Sequence, residues 1–349
     1  MKKSIASLGL SLVLLITFGI NVQAQPKQVI ELGPDDFGIH ALWAQPKAQP
    51  EAAQVPHTLY VANQSANTIS VVDGATFLVA ATIPTGHNPH GILVDVSKGV
   101  AYVCNRSENT ISVIDLRSRK ELARISAPGG PHGMALSADG EMLFSTGQQE
   151  INVIDLATRQ LVAAIPVGQD PHMRHRSPDK TRLYTGNRRD GTISVIDIAR
   201  RAVIATIPVG RTPEDLAISP EGHEILVGNL GDDAVTFIDA TTHAVTATVK
   251  LPERAAPIRL RYSPDGKIVF ISSRRNGAGV LRMDRATRTI TGHLPMDGLC
   301  TGMNFSPDHC MLYMTDNRGG TISQVEPETM KLIKTLPIGA GPGCIEVVP

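Results

Sequence analysis

The chain has 349 residues, enough for a large buried core, and its 33 Lys plus Arg balance 33 Asp plus Glu, so its formal net charge is zero. That balance excludes a global electrostatic pull towards double-stranded nucleic acid. Hydrophobic content of 42% is ordinary for a globular protein, and 31 Gly with 24 Pro fit a fold rich in turns, while aromatics are scarce at 4%.

Residues 1–24 read as a secretory signal peptide, with Lys2 and Lys3 as its charged start, Leu8–Ile20 as its apolar run and Val22-Gln23-Ala24 before the cleavage point. A periplasmic or secreted location is therefore expected, with no transmembrane segment left after cleavage. Export permits disulfides. The cysteines Cys104, Cys300, Cys310 and Cys344 form no CxxC or CxxCH, which removes covalent c-type haem and a thioredoxin-like site. Residues 25–57 are rich in Pro, Gln and Ala and show no period, so an extended N-terminal arm is expected. Phe37, Ile39, Leu42 and Trp43 would pin it to the body.

From Thr58 one phrase recurs with a period of about 42 residues, the signature of a repeat architecture. Its words are LYVAN, a polar turn, TISVID, a second turn, VIATIPVG, and a further strand such as GILVD or DLAIS. The acidic residue closing the TISVID strand falls at Asp73, Asp115, Asp155, Asp197, Asp239, Asp284 and Glu326. Alternating β-branched runs with turn signals every few residues mean antiparallel sheet. Seven four-stranded units of this size predict a seven-bladed β-propeller over 58–349. The first unit lacks an inner strand, and Cys344–Val348 is an inner strand with nothing after it. Pairing the two would complete the first blade and close the ring.

LYVAN, TISVID, IPVG, PHG and SPDG are words of the YVTN-type β-propeller repeat, which the chain resembles over about 58–349. The resemblance implies an exported propeller, similar to repeats of surface-layer proteins and to seven-bladed lactonases, a streptogramin lyase and the propellers of copper, haem and quinone enzymes. It fixes fold better than activity.

In a propeller the PHG loops and the polar loops after LYVAN share one face, at the mouth of the central channel. The PHG register reads His90, His132, His172, Glu214, Ile258, Thr301 and Gly343. Three His and one Glu from consecutive blades suit a divalent metal, or His172 and Glu214 a metal-free acid–base pair. Because PHG is itself a repeat word, loop capping by these His stands beside both readings. In the fourth blade Arg174 and Arg176 replace apolar residues around His175, which costs stability unless the charges are paired. An anion subsite and an inter-blade salt bridge with Glu214 or Asp215 both satisfy that. Arg261 and Glu346 fall where they could face each other across the channel. Arg106, Arg188, Arg189, Arg274, Arg275 and Arg318 form a cationic rim, suited to a small anionic ligand or balanced by neighbouring acids. Cys300 and Cys344 start inner strands of adjacent blades, which makes them disulfide candidates.

The reading that follows is a binding or interaction module acting through the top face and channel mouth on a protein or small anion. No complete catalytic set is recognisable, so an enzyme is the weaker expectation. A lactonase- or lyase-like activity at the His/Glu site, with or without metal, is one alternative. A copper-linked or electron-transfer accessory is the other.

Overall fold

The computed structural model describes residues 55–275 and 279–349, apart from the side chains of Met173 and Arg174. The expected signal peptide and most of the expected arm, with Phe37, Ile39, Leu42 and Trp43, lie outside the described residues. Seven separate four-stranded antiparallel sheets make up the ring. Blade 2 comprises β4 (Pro89–Asp95), β5 (Val100–Asn105), β6 (Thr110–Asp115) and β7 (Lys120–Ser126). Blade 3 comprises β8 (Met134–Leu136), β9 (Met142–Thr146), β10 (Glu150–Asp155) and β11 (Gln160–Pro166). Blade 4 comprises β12 (Pro171–Arg176), β13 (Arg182–Asn187), β14 (Thr192–Asp197) and β15 (Ala202–Pro208). Blade 5 comprises β16 (Pro213–Ile218), β17 (Glu224–Asn229), β18 (Ala234–Asp239) and β19 (Val245–Lys250). Blade 6 comprises β20 (Pro257–Tyr262), β21 (Ile268–Ser273), β22 (Val280–Asp284) and β23 (Thr289–Leu294). Blade 7 comprises β24 (Cys300–Phe305), β25 (Leu312–Asp316), β26 (Thr321–Glu326) and β27 (Lys331–Pro337). Blade 1 joins the two ends of this order: β28 (Pro342–Val348) pairs with β1 (Thr58–Asn63), followed by β2 (Thr68–Asp73) and β3 (Leu78–Pro84). The expected closure is thus present, with Tyr60 opposite Glu346 and Val61 opposite Ile345. Among the described residues the only helix is a single 3-10 turn at Leu230–Asp232, and none is long and apolar enough to cross a membrane.

The repeat words act as follows. The two middle strands of each blade are buried on both faces, so TISVID carries apolar side chains between neighbouring sheets. The outermost strand is largely exposed. All seven blades carry a β-bulge at the same place between the third and fourth strands, as at Val71/Val72 and Phe237/Ile238. A bulge raises local twist, and its repetition gives every blade the same propeller twist.

The LYVAN asparagine is a clasp. Asn105 Nδ2 donates to Thr110 Oγ1 (3.0 Å) and Ser112 Oγ (2.8 Å), and its Oδ1 accepts from Gly86 N in the preceding blade (3.1 Å). Asn229 binds Gly210 in the same way (3.1 Å). A Cβ at Gly86, Gly168, Gly210 or Gly339 would overlap the clasp asparagine, which explains the glycine ending IPVG. The arm's last residues also dock: His57 is buried, with Nε2 in a 2.6 Å hydrogen bond with Tyr313 of blade 7.

Two expected outcomes test this architecture. Deleting residues 341–349 removes the closing strand, and the truncated chain loses its cooperative melting transition in calorimetry. Separately, hydrogen bonds from the N–H and hydroxyl of the Thr three residues on hold the carboxyls of Asp73, Asp155, Asp239 and Asp284 below their ordinary value of 3.8. A folded-state value below the unfolded one contributes stability above the unfolded value and loses it as pH falls. The melting temperature therefore drops below about pH 4, and replacing the four Asp by Asn flattens that acid limb.

Candidate binding site at the channel mouth

The inner strands place the predicted cluster on one face. His90, His172 and Glu214 are the second residues of β4, β12 and β16. His132 instead precedes β8, which has only three residues. There Thr146 Oγ1 stands in for a ladder partner, accepting from His132 N (2.8 Å) and Gly133 N (3.3 Å). All four side chains are buried. The three imidazoles follow one another, with His90 tilted 35° to His132 at a ring-centroid distance of 3.5 Å and His132 stacked on His172 at 3.8 Å.

The series continues at both ends. Cys344 Sγ lies 3.9 Å from His90 Nδ1, and His172 Nδ1 lies 3.9 Å from Glu214 Oε1. Among the described residues no group of three or more His, Cys, Asp or Glu could hold a metal ion. The structure thus brings His90, His132, His172 and Glu214 together in one row.

Glu214 is paired with a residue of the expected cationic rim. Arg188 Nε approaches Glu214 Oε2 at 2.7 Å, an ion pair whose N–H is not aligned for a hydrogen bond, and Arg188 Nη1 donates to Asp170 Oδ2 at 2.8 Å. Arg188 is therefore an internal counter-charge, while Arg106, Arg189, Arg274, Arg275 and Arg318 are exposed. Arg106 and Arg189 flank a hollow of about 590 Å³, also lined by His132, His172, Gln148 and Gln149.

Beneath the stack lies the central channel, a cavity of about 280 Å³ lined by inner-strand residues. Arg176, Asp215, Arg259, Arg261 and Glu346 supply its charge, with His175 beside them. The anticipated salt bridge of Arg176 to Glu214 or Asp215 is replaced by contacts with carbonyls. Arg176 Nη1 donates to Leu136 O and Ser137 O of blade 3, the latter at 3.1 Å. Burial lowers its pKa. Blade 4 absorbs its pattern break by a bulge between Met173 and His175 that leaves Arg174 unpaired in the ladder. The Arg174 side chain lies outside the description.

Arg261 donates through Nε and Nη2 to Met303 O, at 3.2 and 2.8 Å. Arg259, which sequence reasoning missed, is 7% exposed and donates to Thr301 O (2.6 Å) and Ile258 O (2.5 Å). Its signal lay one residue after the PHG register, where other blades have Gly91, Gly133 or Asp215. Asp215 Oδ2 accepts from Leu260 N at 3.0 Å, and its Oδ1 lies 3.9 Å from His175 Nε2. No disulfide joins Cys300 to Cys344: Cys344 Sγ faces His90, and Cys300 Sγ points to Gly302 O at 3.5 Å.

A family model described as a YNCE-like β-propeller matches residues 93–182 and 177–297, together more than half of the chain. No curated protein matches it in sequence. Among solved structures, the periplasmic gluconolactonase PpgL of Pseudomonas aeruginosa is similar with a TM-score of 0.68 and 17% identity, over 84% of this chain and 99% of that one. Hydrazine synthase of Kuenenia stuttgartiensis gives 0.65 and 21%, over 73% and 88%. The dihydro-haem d1 dehydrogenase NirN gives 0.65 and 15%, over 88% and 78%. At these identities the likeness is one of fold.

Removing Arg188 tests the ion pair. Arg188→Leu leaves Glu214 buried against His172 without its counter-charge and lowers stability by about 2–4 kcal/mol in urea melts. Adding Glu214→Gln restores most of that loss.

Proposed function

The chain belongs to the YNCE-like β-propeller family, and we propose that it is an exported binding module whose ligand is a small multivalent anion held in the central channel. One observation carries this reading: Arg176, Arg259 and Arg261 line a single cavity against two carboxylates, Asp215 and Glu346. Their bonds to backbone carbonyls orient the guanidinium groups but do not cancel their charge. In a confined, partly desolvated space such charge attracts anions more strongly than it would in bulk water. The volume suits phosphate, sulfate or a small polycarboxylate. Arg106 and Arg189 beside the upper hollow would steer such a ligand inward. The scarcity of aromatics argues against base stacking on single-stranded nucleic acid.

Lactonase- or lyase-like chemistry is the second reading, favoured by the 3.9 Å approach of His172 to Glu214. It is supported less well, because Arg188 already engages the other Glu214 oxygen.

Titration calorimetry of the full chain with phosphate, sulfate and citrate at low ionic strength tests the proposal. One site per chain is expected. Arg261→Gln should weaken it about tenfold or more, the loss of a charge-assisted contact. Absence of heat and of any melting shift with all three anions would overturn it. Lactone hydrolysis abolished by His172→Ala but untouched by Arg261→Gln would favour the second reading.

A further inference from the structure

Cys344 belongs to β28, the strand that closes the ring, and lines the same cavity as the three arginines. Its Sγ is 3.9 Å from His90 Nδ1, and both residues are 7% exposed. The other cysteines differ. Cys104 is fully buried in the apolar cluster between blades 2 and 3. Cys300 is also buried, and burial pushes its thiol up to about 12. Cys310 is exposed, with its thiol raised by partial desolvation and by the Asp308 carboxylate.

A thiolate is the attacking form of cysteine, and a base beside the thiol can take its proton. Cys344 has the His90 imidazole at 3.9 Å, and it shares its cavity with the guanidinium groups of Arg176, Arg259 and Arg261 and the carboxylates of Asp215 and Glu346. We propose that Cys344 is a nucleophilic thiol, with His90 as its proton acceptor, that forms mixed disulfides with small anionic sulfur electrophiles entering the channel. The preference for anionic reagents rests on the channel reading above; the reactivity of the thiol does not.

The step balances as ordinary thiol exchange. The S–H proton passes to His90 Nδ1, and Sγ attacks the electrophilic sulfur of RS–X. The Sγ–S bond forms as the S–X bond breaks, and X leaves with the bonding pair. Cys344 is oxidised to the disulfide level, and X is reduced to a thiolate when RS–X is a disulfide, or to a sulfinate when it is a thiosulfonate.

The full chain carrying Cys310→Ser is treated with 2-sulfonatoethyl or 2-(trimethylammonio)ethyl methanethiosulfonate, one anionic and one cationic. Each rate is divided by that reagent's rate with free cysteine, and mass spectrometry maps the adduct. One adduct at Cys344 is expected, favouring the anionic reagent by about tenfold or more. Arg261→Gln should bring that ratio towards one. His90→Phe should slow both reagents about tenfold while keeping their ratio, and His90→Gln serves if the Phe variant loses its melting transition. No adduct at Cys344 in the folded chain overturns the proposal. An adduct formed at equal normalised rates keeps the nucleophilic thiol and overturns the anion preference with the channel reading. Unchanged rates in folded His90 variants remove His90 from the step.

Discussion

The ladder between β28 and β1 is the contact on which the ring depends. It joins the two ends of the propeller across nearly its full length, with Thr58 opposite Val348 and Asn63 opposite Pro342. Closing so long a loop carries an entropic cost that local hairpins avoid. The return is that β1 is not left with an unpaired edge, the usual liability of β-sheet. The same pairing brings Cys344 to His90 and Glu346 into the channel, so the closure helps build the site.

Inner strands pose a second problem, because each has one edge without a strand partner. Buried carbonyls there need donors. Side chains supply several: Arg176 to Leu136 and Ser137, Arg259 to Thr301, Arg261 to Met303, Thr301 Oγ1 to Pro342. Long cations are thereby drawn into the channel wall for structural reasons. Their hydrogen bonds are met, but the charge they bring remains, and that residual charge is the basis for anion recognition.

At the upper end of the channel the same geometry acts on imidazoles. The repeat places a His at equivalent positions in three neighbouring blades, and ring curvature lays them against one another. Their close approach follows from near-equivalent placement in neighbouring blades. Glu214 ends the stack because the fifth blade exchanges His for an acid, and Arg188 compensates that acid.

The words of the repeat were enough to read the blades, their number and the closing strand. These features rest on local alternation and turn chemistry, which adjacent residues carry. The shared face of His90, His132, His172 and Glu214 was legible because register repeats. Their stacking was not, nor were the turning of Arg176 and Arg261 to carbonyls, the capture of Arg188 by Glu214, or the placing of Cys344 beside His90 instead of Cys300. Those choices depend on side-chain direction and on how ring curvature and displaced bulges bring residues of different blades within a few ångströms, which only the closed tertiary structure decides.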